Sequence, residues 1–255
     1  MSVNPVVLLA LAFAAAGPVE SRPAAPPALQ HLVPEEAAGA SRTDPLTKYR
    51  TTVHSVLKEA FAPEVAARAI VYPSFSVEYA VGLRRGTGGW EIFGVHPTSH
   101  SVWTYTAIEL MRQGHMGAMT MDGRDRTGEE MAELRKGLPA DPADLPLSRC
   151  SVPLGVDAAD AVAAAWRTML EAVKPDPAGL PGADGTDFHF SMESGGRTLA
   201  GQTWSPREGS RPAKLAALAA AMQELCEKHD AAGSGRIRAL AQEIAPAASG
   251  AAAKR

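Results

Sequence analysis

Apolar and polar residues alternate with period two in two stretches of the chain and recur every three or four residues in several others. The clearest alternation sets Phe75, Val77, Tyr79, Val81 and Leu83 against Ser76, Glu78, Ala80, Gly82 and Arg84, and predicts a strand. Arg85-Gly86-Thr87-Gly88-Gly89 reverses it, and Trp90 to Val95 returns until Pro97. The pattern repeats after Asp184. Phe188 and Phe190 alternate with His189 and Ser191, Ser194-Gly195-Gly196 supplies residues that accept positive φ, and Thr198 to Trp204 returns. Pro206 ends this second hairpin, because proline has no ladder donor. The run Ser101 to Met111 holds Val, Trp, Thr, Tyr and Ile, which predicts a third antiparallel strand, although Ala107 to Met111 also suits a helix. A short strand is expected around Cys150.

Helical spacing begins near Thr47, where Tyr49, Val53, Val56, Leu57 and Ala60 share one face. Pro63 either ends this helix or starts a further turn before Ile70. Thr127 and Glu130 form a capping box before Met131 and Leu134. Asp157 is expected to cap a helix lined by Val162, Trp166, Met169 and Val173. Ser210 stands at the next N-cap, with Pro212 tolerated in the first turn. Leu215, Leu218, Met222 and Leu225 then form a face that ends at Cys226. After a Gly-Ser-Gly break, Arg236 to Ala245 reads as a short amphipathic helix. This order predicts an α+β fold: an antiparallel or mixed β-sheet built from two hairpin units, with helices packed on one face. The hairpins resemble each other too loosely to argue a duplication.

The ends differ from the middle. Val6 to Ala16 is apolar but too short to span a bilayer, and Ala14-Ala15-Ala16 offers small residues before Gly17. Residues 1–16 therefore read as a signal peptide, although no Lys or Arg precedes the apolar run. A buried N-terminal strand is the alternative, against which the Pro-rich sequel argues. Residues 17–44 read as a Pro/Ala-rich disordered linker, 45–230 as a single α+β domain, and 231–255 as a short amphipathic helix and disordered tail. No later segment is long and apolar enough to be transmembrane, so an exported chain, periplasmic or secreted, is expected.

Composition narrows the partners. The chain has 255 residues, 45% hydrophobic and 21% charged, with a formal net charge of −3. This suits a globular domain with tails, and a near-neutral balance makes no electrostatic case for nucleic acid or anionic membrane. Its only cysteines are Cys150 and Cys226. In an oxidising compartment they are expected to pair, closing a loop of about 75 residues and stabilising the fold by on the order of 4 kcal/mol in the chain-entropy model. The alternative is two buried thiols acting as small hydrophobes.

Catalytic and cofactor motifs fail in their details, and no family's motif set can be laid on the chain. Gly86-Thr87-Gly88-Gly89 lacks the third glycine of a dinucleotide fingerprint, a strand follows where a helix should, and there is no Walker lysine. The acids of Met121 to Glu130 are not spaced as in a calcium loop. Ser55 and Lys58 fit the Ser-x-x-Lys pattern of penicillin-recognising acyl transferases, but the companion elements are missing and the serine lies mid-helix. His96 and His100, with His115 or Glu78, are the nearest approach to a metal site, set against ordinary turn histidines that bond to backbone. At the corner Trp204 to Lys214, the unpaired N–H groups of a helix start lie near Arg207, Arg211 and Lys214, with Trp204 as an aromatic wall. Here the competing reading pairs Glu208 with these cations and places Trp204 in the core.

The expectation is an exported, non-catalytic binding or accessory protein of a bacterial-type cell envelope, without a cofactor, whose partner is a protein or a small anion. Two alternatives stand beside it: a hydrolase using Ser55 and Lys58 or a histidine-bound metal, and a small-anion or sugar binder at the Trp204 to Lys214 corner.

Overall fold

The computed structural model of the chain describes residues 28–35, 44–114, 127–176, 184–230 and 233–245. The signal-peptide reading of residues 1–16, His115 and the end of the tail lie outside these residues. At the centre of the fold is a strand that the alternation pattern does not reveal, β1 (Val65–Pro73). Its Ala67, Ala69 and Val71 face one side and Ile70 and Tyr72 the other, and all are buried. A strand covered on both faces shows a continuous apolar run, so the period-two signal vanishes. This is why the stretch after Pro63 reads as an indistinct turn.

Around β1 stand β2 (Tyr79–Gly86), β3 (Gly89–Pro97), β4 (Leu147–Pro153), β5 (Thr186–Ser194) and β6 (Arg197–Trp204). Among the described residues they make one six-stranded antiparallel sheet, ordered β4-β3-β2-β1-β5-β6. The two expected hairpins are β2–β3 and β5–β6. The second turns through Gly195 and Gly196, at φ 60° and 77°, which matches the positive-φ pair of a primed turn. Beyond β6, Val33 exchanges backbone hydrogen bonds with Gln202, and Leu32 and Val33 are buried. Part of the stretch read as linker thus pairs with the outer edge of β6 at one residue.

The helices are α1 (Pro45–Val56), α2 (Val102–Arg112), α3 (Gly128–Arg135), α4 (Val156–Glu171), α5 (Arg211–Lys228) and α6 (Gly233–Ile244). The capping box of Thr127 and Glu130 opens α3, and the Ser210 side chain caps α5 by accepting from the Ala213 N–H. At α4 the N-cap is Gly155, while Asp157, expected at that position, lies in the first turn. There it still opposes the positive end of the helix dipole.

Two further expectations are corrected. The third strand proposed over residues 101–111 is α2. Val, Trp and Tyr favour strands only weakly, and the tertiary setting overrides them. Ser101 caps the helix by accepting from the Thr104 N–H, and the Glu78 carboxylate accepts the N–H groups of Val102 at 2.7 Å and Trp103 at 2.9 Å. An anion at the unpaired N-terminal amides holds the helix in place. The strand expected from Phe75 begins at Tyr79; Phe75 lies in the β1–β2 connection and is 85% exposed.

The faces of the sheet carry separate cores. On one, Ala67, Val71, Val81, Leu83, Ile92, Phe190 and Met192 pack under α4, α5 and α6, around a fully buried Trp166. The Ile237, Ala241 and Ile244 face of α6 belongs to this core, so α6 is part of the domain. On the other, Tyr49, Val53 and Val56 of α1 and Val102 of α2 meet Ile70, Tyr72, Ala80, Phe93 and Val95. Helices therefore cover both faces, α4 to α6 on one and α1 with α2 on the other. Cys150 of the edge strand β4 and Cys226 of α5 form a disulfide with Cα atoms 5.5 Å apart. Gly94 makes room for it, since a Cβ there would lie 2.7 Å from Cys150 Sγ.

Candidate functional site

The register of β5 with β6 sets Asp187 opposite Trp204 and His189 opposite Gln202. Because Phe188 and Phe190 face the α4–α6 core, period two sends Asp187, His189 and Ser191 to the other side. Such polar residues on a half-buried strand ordinarily meet water. Here His189, Ser191 and Gln202 are all buried.

This corner of the sheet, the starts of α1 and α2, and the Pro73–Phe75 connection enclose a cleft of about 550 Å³. Its walls are Tyr49, Tyr72, Phe75, Trp103 and Trp204, with Leu46 at the edge and Arg50, Asp184, Asp187 and Gln202 as polar groups. The Tyr49 ring stands edge-on to Trp103, with centroids 5.1 Å apart and planes at 79°, and to Tyr72 at 5.7 Å and 71°. Tyr49 is held by its hydroxyl, which donates to Glu78 Oε1 at 2.6 Å. One buried carboxylate thus places both Tyr49 and the helix that carries Trp103. Burial, and then the Glu78 charge, push the Tyr49 phenol well above its usual pKa, so it remains a donor.

The polar floor is a chain of charged groups. Asp187 Oδ2 accepts from Arg50 at 3.2 Å and contacts His189 Nε2 at 2.9 Å, while His189 Nδ1 lies 3.4 Å from Glu35. Burial alone lowers the His189 pKa, but the bonds to Asp187 and Glu35 outweigh it and leave the imidazole above its ordinary value. Asp187 Oδ1 and Gln202 Oε1 are buried without a hydrogen-bond partner among the described residues. Burying a polar group unpaired costs about 1–3 kcal/mol; Gln223 Oε1 of α5 is a third such acceptor, and each of the three oxygens is itself closed to solvent.

The residues singled out from sequence fall elsewhere, with one exception. Trp204 lines this cleft. It does not join a cationic corner: Arg211 donates to the Ile244 carbonyl and Lys214 pairs with Glu243 at 3.1 Å, both tying α5 to α6. The Arg211 backbone N–H at the helix start donates to Gln30. Arg207 also has a partner. Ser55 and Lys58 are both exposed, Ser55 on α1 and Lys58 in the following turn. His96 bonds to the Pro97 carbonyl and lies 3.7 Å from Glu227, His100 bonds to Ser99, and Glu78 is used in capping α2. Among the described residues no group of three or more His, Cys, Asp or Glu is arranged to hold a metal ion.

A second hollow of about 420 Å³ lies between β2, β3 and α5, near Tyr79, His96, Gln223 and Glu227. It has one aromatic wall against the five of the main cleft. Sequence reading misses Arg50, Asp187 and Gln202 as a group because they come from three elements. The one available signal is that Asp187 and His189 alternate with Phe188 and Phe190 and so share the face opposite those rings.

Fold and site together define an α+β domain with a ligand-sized aromatic cleft. No family model, curated protein or solved structure matches the chain.

Proposed function

We propose that this chain is an exported, disulfide-stapled binding protein of a bacterial-type cell envelope that acts by holding a ligand in the aromatic cleft. The observation that carries this reading is the cavity itself, walled by five aromatic rings and lined by few polar side chains, among them Arg50, Asp184 and Asp187. Its volume of about 550 Å³ falls in the range of small-molecule sites, and its make-up of apolar walls with few polar groups is typical of them. Export is supported by the apolar run from Val6 to Ala16 and by the paired cysteines, since disulfides persist in oxidising compartments. No helix among the described residues is long and apolar enough to cross a membrane.

A thermal-shift screen against amines, sugars, anions and divalent metals tests the binding role. A ligand selective for the folded state raises the midpoint with its concentration. The expected result is a saturable shift that Trp103→Ala reduces; no shift from any class sinks the reading. For export, the intact mass of the recovered protein should begin near Gly17. A mass retaining Met1 would refute it.

A further inference from the structure

Residues 28–35 form a strap along the outer edge of β6, and we infer that this strap is a pH-responsive latch. It is fastened while the His189 imidazole donates to Glu35, and it loosens when His189 gives up its second ring proton. Its action does not depend on a ligand in the cleft.

Most of what holds the strap is indifferent to pH. Val33 and Gln202 exchange backbone hydrogen bonds at 2.9 and 2.8 Å, and the Leu32 carbonyl accepts the Lys174 N–H at 3.0 Å. Gln30 Oε1 accepts the Arg211 N–H at 3.2 Å. Leu32 is fully buried beside Gly201, where a Cβ would lie 3.1 Å from the Leu32 Cβ, so glycine opens the notch that receives it. The ionic fastening is Glu35, which reaches His189 Nδ1 at 3.4 Å.

His189 stands between two carboxylates, with Asp187 Oδ2 2.9 Å from Nε2 and Glu35 on the Nδ1 side. A protonated imidazole donates from both nitrogens, whereas a neutral one has a single N–H and a lone pair. Once neutral, it turns that lone pair on one of the carboxylates. Asp187 is fixed in β5 and held by Arg50 at 3.2 Å, but the Glu35 side chain is 38% exposed and can turn into water. The loss therefore falls on the strap. Burial lowers the His189 pKa, but the bonds to both carboxylates outweigh it, so the fastening is present at low pH and is lost as pH rises through the raised folded value.

The neighbouring groups keep this sign. Tyr72 of β1 stands edge-on to the imidazole at 4.9 Å, and burial pushes its phenol well above the ordinary range. Burial, and then the His189 charge, hold His54 of α1 below the ordinary histidine value, so it is neutral while His189 titrates. Arg50, Arg68, Glu78 and Glu193 are the other charged groups of this face, of kinds that a change around neutral pH leaves alone. His31, on the strap itself, contacts the adjacent Leu32 carbonyl at 3.0 Å.

The test is backbone hydrogen exchange on the full chain from about pH 6 to about pH 9, with the native protein and Glu35→Gln compared at each pH so that the intrinsic pH dependence of exchange cancels. At the acid end the Val33 and Gln202 amides of the native chain should exchange roughly two- to fivefold more slowly than those of the variant, the weight of one partly exposed ion pair. Toward the alkaline end that ratio should approach one. His189→Gln should lose the slow exchange as Glu35→Gln does. The amide of Ile70, in the central strand, reports global opening, and its ratio should not change with pH. A native-to-variant ratio at Val33 and Gln202 that is flat across the range overturns the latch, and so would a pH dependence that comes from His31, since both chains share it. A parallel change at Ile70 overturns it too, because the whole domain would then be opening and not the strap.

Discussion

The two faces of one sheet solve different problems. Under α4, α5 and α6 the side chains are apolar almost throughout; Trp166 and Phe190 meet edge to face at 5.7 Å, and the Trp166 indole N–H finds the Arg68 carbonyl at 3.2 Å. Alanines along α4 and α5 bring these helices close to the strands. Under α1 and α2 the core is smaller and stops at β1. Over β5 and β6 that face carries the polar Asp187, His189 and Gln202, and leaves Phe75 and Trp103 in contact with water. One face holds the fold together, and the other gives up packing and leaves a cleft. A stable scaffold on one side is what lets the opposite side carry groups whose burial is unfavourable alone.

The sharpest way to break this comparison is Trp166→Ala, which empties the centre of the packed face. A loss of about 3–5 kcal/mol is expected, read as a midpoint lower by on the order of 10 °C. A loss no larger than that of the cleft variants would end the distinction. Next, reduction of Cys150–Cys226, whose partners are 76 residues apart, should cost about 4 kcal/mol in the chain-entropy model, measured by denaturant unfolding with and without reductant. An unchanged midpoint would mean that the packed face needs no staple.

On the cleft face, Glu78→Gln keeps the volume but sets an amide against the donors of Tyr49, Val102 and Trp103. A loss of about 1–3 kcal/mol is expected, together with weakened ligand binding as the ring walls loosen. Stability lost without any change in binding would separate Glu78 from the site. A smaller effect concerns His189. Its folded pKa is raised above the ordinary 6.5 by Asp187 and Glu35, with Arg50 and His54 nearby. A raised pKa contributes stability that is fully present below the unfolded value and is lost as pH rises through the folded one. The midpoint advantage of the native chain over His189→Gln should therefore shrink as pH rises above the ordinary histidine value of about 6.5; an advantage that grows with pH would contradict the charge chain. The smallest expected effect is Phe75→Ala, within about 0.5 kcal/mol of the native stability because the ring is 85% exposed, yet weaker in ligand binding.

How legible all this was in the sequence depends on how local each signal is. The hairpin at Gly195-Gly196, the Ser210 cap, the capping box of Thr127 and Glu130 and the helical face ending at Cys226 rest on neighbours within a few residues, and each is in the structure as read. β1 escaped because burial on both sides erases alternation, and α2 because its helix start depends on Glu78, 24 residues away. The cleft escaped for the same reason on a larger scale: Arg50 and Asp187 are 137 residues apart.

By itself, then, the sequence determined the α+β class, the two hairpins and the helix starts at Thr127 and Ser210, since these follow from local backbone preferences and the chemistry of single residue types. Tertiary structure decided which strand stands at the centre, which helices cover which face, and that Trp204 serves an aromatic cleft while Arg211 and Lys214 brace α5 against α6. The physical reason is that the cleft is a meeting of side chains across the sheet, and only the register of β5 against β1 and β6, with α1 laid over one face, brings Tyr49, Arg50, Asp187 and Gln202 to the same place.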